Sequence, residues 1–187
     1  VIIFNGEIYN HLLIREKILR NFNINWKSNS DTETLLQTIN FLGIEKSLKI
    51  FEGMFSFCLF DKKNKKIFLA RDKFCEKPLY YGVIDNNFVF GSELKIFNNF
   101  PNFKKKISKR FLETFLKYSY VPEPLSIYEN IFKLNAGEIL ELELNKINFE
   151  SPKYFENLKR SKWYNSELCD SNDINNQNLF YLILIQE

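Results

Sequence analysis

Val1-Ile2-Ile3-Phe4-Asn5-Gly6-Glu7-Ile8-Tyr9-Asn10 is the stretch on which the reading of this chain turns. Three apolar β-formers run into Phe4, and Asn5, Gly6 and Glu7 then place three special chemistries in one bend before Ile8, Tyr9 and Asn10 resume. The pattern is a strand that carries a polar turn. Gly6 lets the backbone take angles that other residues avoid, and with no side chain its N–H can be approached closely by a bound group. Asn5 adds an amide NH2, so the two form a donor pair able to stabilise negative charge on a carbonyl oxygen, the role of an oxyanion hole. Asn-Gly is also the commonest hairpin dipeptide, but the residues after Glu7 do not form a clean return strand.

The blocks SDTET from Ser30, EGMFSFCLFD from Glu52, ARDKFCEKPLYYG from Ala70 and FGSELK from Phe90 follow in that order. Together with FNGEIYN they resemble class II glutamine amidotransferases, in the form closest to glutamine-hydrolysing asparagine synthetase. YVPEPLSIYENIFKLNAGEIL, from Tyr120, extends the likeness to Leu140. The resemblance implies an α+β fold of the N-terminal-nucleophile hydrolase type, a four-layer αββα sandwich with antiparallel sheets, here incomplete at the amino end. It also implies that Asn5 and Gly6 donate to the oxyanion, and that these two with Glu7 and Asp31 hold glutamine, Asp31 taking its α-amino group.

In that family an amino-terminal cysteine, with its own α-amine as base, attacks the glutamine side-chain amide, forms a thioester and releases ammonia. Here Val1 has no thiol, no internal cysteine carries a free α-amine, and the arginine that grips the substrate carboxylate is absent. The expectation is therefore a fragment, inactive by itself, of a parent that makes asparagine from aspartate, glutamine and ATP. Two other parents fit the same blocks: an amidotransferase-like scaffold of the β-lactam synthetase type, and an asparagine-synthetase-like enzyme of polysaccharide biosynthesis. The expected partners are glutamine and the parent's synthetase domain, with the parent a possible homodimer. ATP and magnesium belong to that absent domain, and no cofactor is expected in this chain.

Composition sets the frame for these readings. The 187 residues suit one domain with or without a tail, and 45% apolar content with 20 phenylalanines supplies a sizeable core. A net charge of +3 is spread thinly, and Lys104 to Lys106 read as a solvated loop rather than a nucleic-acid patch. Cys58, Cys75 and Cys169 lie far apart, which suggests neither a zinc site nor a disulfide framework. With no signal peptide and no apolar run of membrane-spanning length, a reducing cytoplasm is the expected compartment, and no membrane partner is expected. The domain boundary is placed at 145, with 146–187 a linker and the possible start of the synthetase domain.

Along the chain, Asn10 is read as the cap of a helix from about His11 to Arg20, and His11 as a first-turn residue without a catalytic role. Ser30 and Glu33 form a capping box for a helix striped by Leu35, Leu36, Ile39 and Leu42 and stopped at Gly43. Asp31 in its first turn complements the helix dipole. A second helix spans Ile44 to Phe51. MFSFCLF from Met54 is apolar on both faces and reads as a strand covered on both sides, with Cys58 a small core residue. Hairpins follow from Ile67 to Asp72, and from Leu79 to Val83 with Phe88 to Gly91. Cys75 stands where the family usually has glycine, and a positive backbone angle there would be strained. Arg71 and Asp72 are read as an ion pair or loop anchors, Ser108 as a helix cap and Ile139 to Leu144 as a strand. The closing FYLILI reads as a possible first helix of the next domain and an aggregation hazard.

Overall fold

A computed structural model describes residues 1–146, 149 and 158–164 of the chain. In chain order the elements are β1 (Ile2–Ile8), α1 (His11–Leu13) running into a π-helical turn (Ile14–Ile18), α2 (Asp31–Leu42), α3 (Ile44–Ile50), β2 (Gly53–Asp61) and β3 (Lys66–Arg71). Then come β4 (Tyr80–Ile84), β5 (Asn87–Gly91), a 3₁₀ helix (Leu94–Asn99), α4 (Lys109–Tyr118), β6 (Ile131–Lys133), β7 (Glu138–Glu143) and β8 (Lys159–Lys162). They fall into two compact units, one built from Val1–Glu7 and Gly53–Trp163, the other containing Ile8–Glu52.

The first unit contains two sheets, one ordered β1-β2-β3-β7-β8 and one ordered β5-β4-β6. Val1 and Phe60 exchange both backbone hydrogen bonds, the signature of an antiparallel β1–β2 pair. β2 pairs β3, and β3 pairs β7, antiparallel as well, with Cys58 opposite Leu69 and Leu69 opposite Leu140. Period-2 alternation decides what each strand buries. Tyr81, Phe88, Phe90 and Phe132 of the small sheet meet Cys58, Leu69, Leu140 and Leu142 of the large sheet in one core. The opposite face of the small sheet packs Ile84, Val89 and Ile131 on Phe97 of the 3₁₀ helix. Five consecutive residues of β2, Phe55 to Leu59, are buried, so the strand is covered on both faces as its sequence requires.

Local chemistry explains the turns. Asp61 Oδ1 accepts from the N–H groups of Lys63 and Asn64, closing the β2–β3 hairpin. Asp85 and Asn86 both take positive φ, 48° and 60°, as a two-residue hairpin turn demands. Between the hairpins, Arg71 is buried and donates to the carbonyls of Lys77, Cys75 and Leu134. Asp72, also buried, accepts from the N–H groups of Phe74, Glu76 and Lys77. Both residues are loop anchors, and Cys75 within the loop they hold sits at φ 61°, the strained left-handed angle.

The second unit is helical. Ser30 Oγ accepts from Glu33 N–H at 3.2 Å and starts α2, and Gly43 at φ 78° ends it. The reciprocal half of the expected capping box is absent: the Glu33 carboxylate instead takes the N–H groups of Lys27 and Ser28 and the Ser28 hydroxyl. These bonds hold the Glu33 carboxyl below its ordinary pKa. Asn10 holds the N-cap position of the first helix, but its side chain makes no cap bond there. Its amide donates to Ile50 O and accepts from Glu52 N–H, stapling the strand exit to the end of α3. The helix it was expected to start is a single α turn followed by the π-helical segment, and stops at Ile18.

Where composition after Asn145 reads as linker, Lys159–Lys162 pair with β7 as the fifth strand of the large sheet, and Trp163 stacks on Phe55 with centroids 5.9 Å apart. All four strand residues are exposed, so no apolar alternation marks them, and the strand is held by backbone bonds. Cys169, the FYLILI stretch and most of 146–187 lie outside the described residues.

Candidate functional site

Three of the four residues singled out for glutamine are consecutive on β1. Asn5 and Glu7 stand exposed on one face of the strand and Gly6 is half-buried between them. Besides the close approach expected of Gly6, the structure shows a steric reason for glycine there. A Cβ on Gly6 would lie 2.1 Å from the carbonyl oxygen of Met54 and 2.6 Å from Phe55 Cα, with φ at 148°. No side chain fits between β1 and β2 at this point. The Asn5 amide is held by Nδ2 donating to Ser92 Oγ at 3.0 Å. A primary amide has two N–H donors, so this bond orients the group while using one of them. Ser92 lies in the FGSELK block, but nothing in its local sequence marks it as the partner of a residue at the other end of the chain.

Asp31 is the first residue of α2, where a carboxylate complements the helix amino terminus. Its Oδ2 accepts the backbone N–H of Ile8 at 3.0 Å, and Ile8 directly follows Glu7 in the chain. Oδ1 faces the Thr32 hydroxyl at 3.4 Å, a long contact that leaves this oxygen able to accept from a cation. The first unit thus supplies an oriented amide donor and a bare backbone position on β1, and the second a carboxylate fixed at the start of α2.

The two described cysteines do not look like nucleophiles. Cys58 is buried in the sheet–sheet core and burial pushes its thiol up to about 12. Burial also pushes the Cys75 thiol up, against the pull of Arg71. A thiol with a raised pKa is a poor source of thiolate. Among the described residues no group of three or more His, Cys, Asp or Glu side chains could hold a metal ion, and no helix is long and apolar enough to cross a membrane.

Comparison with known proteins places this geometry. A putative glutamine-hydrolysing asparagine synthetase from Methanocaldococcus jannaschii is 40% identical over 158 residues, which are 83% of this chain and 30% of that protein. Asparagine synthetase 1 of Bacillus subtilis, also glutamine-hydrolysing, is 36% identical over 137 residues, covering 73% of this chain and 21% of the relative. The chain therefore spans less than a third of the length of these relatives. Among solved structures, glutamine phosphoribosylpyrophosphate amidotransferase from B. subtilis superposes over 87% of this chain and 29% of its own, with TM-score 0.56 at 18% identity. That likeness shows the fold, an α+β architecture of the N-terminal-nucleophile hydrolase type. The family model described as a glutamine amidotransferase domain matches residues 1–155, and with asparagine synthetases as its relatives this chain belongs to that glutamine amidotransferase family.

Proposed function

We propose that this domain binds glutamine and takes part in releasing ammonia from its side-chain amide, for an ATP-dependent synthetase that amidates aspartate. The observation that carries the reading is the pairing of Asp31 with the N–H of Ile8 directly after the Asn5-Gly6-Glu7 turn. A carboxylate fixed on the backbone N–H of the residue that follows that turn in the chain suits the ammonium end of an amino acid. Asn5, oriented by Ser92, retains a second N–H for the oxyanion that forms on the side-chain carbonyl oxygen when the amide is attacked and again when the acyl intermediate is hydrolysed. Gly6 keeps the strand free of a side chain at the same place, and Glu7 stands on the same exposed face as Asn5. Neither Cys58 nor Cys75 is the nucleophile in this scheme: both thiols are pushed up by burial and neither carries a free α-amine.

The test is glutamine-dependent ammonia release by the full polypeptide and its Asn5→Ala variant. Loss of one oxyanion donor lowers kcat by about 100- to 1,000-fold with little change in KM. An Asn5→Ala enzyme with unchanged kcat would refute the assignment of Asn5. Glutamine-dependent ATP consumption that requires aspartate, and no other acceptor, checks the synthetase part of the proposal.

A further inference from the structure

Arg15 makes three side-chain hydrogen bonds and a ring contact, and none of its hydrogen-bond partners is an acid. Its Nε donates to Thr34 Oγ1 at 2.6 Å, Nη1 to Ser28 O at 2.9 Å and Nη2 to Ser30 O at 2.8 Å. The guanidinium carbon also lies 3.9 Å from the centroid of the Trp26 ring, close enough for a cation–π contact. All four partners border one place, the amino terminus of α2: Trp26 and Ser28 lead into it, Ser30 caps it and Thr34 lies one turn inside. Asp31, whose carboxylate takes the Ile8 N–H, sits in the middle of that set. A planar fork that spends three donors and one ring face on the residues flanking Asp31 restrains the helix start that carries that carboxylate. Lysine, a point charge on a flexible stem, cannot make the same set of bonds.

We infer that Arg15 is a positioning residue for substrate recognition: through the first turn of α2 it sets the Asp31 carboxylate to receive the α-ammonium group of glutamine. The inference rests on the reading of Asp31 as that acceptor, and it adds a residue that makes no contact with substrate. Glutamate 33 shares the task from the other side by holding the Lys27 and Ser28 amides, so the segment entering α2 is tied at both its carbonyls and its N–H groups.

The test is equilibrium binding to the full polypeptide of glutamine and of glutaramate, which keeps the side-chain amide and the carboxylate but has no α-amino group. Asp31→Asn serves as the reference: it should weaken glutamine by about tenfold or more while leaving glutaramate unchanged, and its failure to do so would remove the reading of Asp31 itself. Given that result, Arg15→Ala should reproduce the same selective loss, and Arg15→Lys should recover only part of it. In the Asp31→Asn background, Arg15→Ala should add less than about twofold, because both act on one interaction. Equal weakening of both ligands by Arg15→Ala, or full recovery by Arg15→Lys, would overturn the inference. If Arg15→Ala does not fold, Arg15→Lys alone decides it, since a selective loss for glutamine supports positioning and an equal loss for both ligands refutes it.

Discussion

Replacing Gly6 with alanine tests whether the turn on β1 is held by sterics or only by substrate chemistry. The added methyl would start 2.1 Å from Met54 O and 2.6 Å from Phe55 Cα, both backbone atoms that no rotamer change can move. A carbon and an oxygen rest at about 3.3 Å or more, so β1 and β2 must separate locally by about 1 Å. Hydrogen bonds in this ladder have little slack, and losing one or two at about 1 kcal/mol each adds to about 1–3 kcal/mol for holding alanine at φ 148°. The expected cost is about 2–5 kcal/mol, a large part of the total stability of an ordinary domain. Gly43→Ala is the control: φ is 78° but a Cβ there meets nothing within 4 Å, so only the angle is penalised, by about 1 kcal/mol. Denaturant unfolding followed by circular dichroism measures both. A Gly6→Ala protein within 1 kcal/mol of wild type, or a Gly43→Ala protein that loses as much, would refute the argument.

Four further outcomes follow from single contacts. Tyr81→Phe should raise stability by roughly 1 kcal/mol in the same assay, because the Tyr81 hydroxyl is fully buried with no hydrogen-bond partner among the described residues and burial pushes its pKa up to about 12. Cys75→Gly should stabilise by about 0.5–1 kcal/mol by relieving the left-handed angle at φ 61°. Arg71→Met should destabilise by about 3–5 kcal/mol, since three carbonyls lose a charged donor in a buried place, with Glu123 left beside them. Burial pushes the Glu123 carboxyl up, but its own backbone hydrogen bond, Lys133 and Arg71 outweigh it and hold it below the ordinary carboxylate value. A depressed folded pKa stabilises above the unfolded value and loses that stability as pH falls through the folded one. Stability should therefore decline on acidification below the usual carboxylate range, and Glu123→Gln should flatten that decline in pH-dependent thermal melts.

The strands and their turns were legible because burial on two faces and backbone angles leave marks in residue type. The run from Met54 to Phe60 reads as a doubly covered strand, and the strands Leu79 to Val83 and Phe88 to Gly91 read as a hairpin, whose turn the structure places at Asp85 and Asn86. Ser30 and Gly43 bounded α2 for the same reason, each being suited to a backbone state other residues resist. The misreadings share a different cause. Asn10 and Glu33 are polar residues whose local sequence offered one set of partners, while tertiary structure supplied better ones at Ile50, Glu52, Lys27 and Ser28. Lys159–Lys162 carry no apolar face at all, and the backbone of β7, an ion pair from Lys159 to Glu141 and the Tyr81 ring under Arg160 recruit them. Of the proposed site, Asn5, Gly6, Glu7 and Asp31 are singled out by residue type and resemblance, while Ser92 and Arg15, which hold Asn5 and the start of α2, are not. An orienting partner is defined by where it ends up, and neither spacing nor composition encodes that over 87 residues.

Placing such a site on a strand has a structural consequence that a loop would not give. Along β1, side chains alternate between faces, so a slip of one residue against β2 would carry Asn5 and Glu7 to the opposite side together. Gly6 forbids the slip. Its neighbours in sequence are Asn5 and Glu7, and either would bring a Cβ to the point where Met54 O and Phe55 Cα already leave no room. The residue expected to admit a ligand therefore also pins the register that puts Asn5 against Ser92, and the rigidity of a five-stranded sheet passes to the amide. Asp31 is fixed by different means, a helix start clamped by Arg15 and a bond to the Ile8 N–H. On the proposed reading, the oxyanion donors and the ammonium acceptor are thereby set by independent devices, so a mutation in one should leave the function of the other measurable.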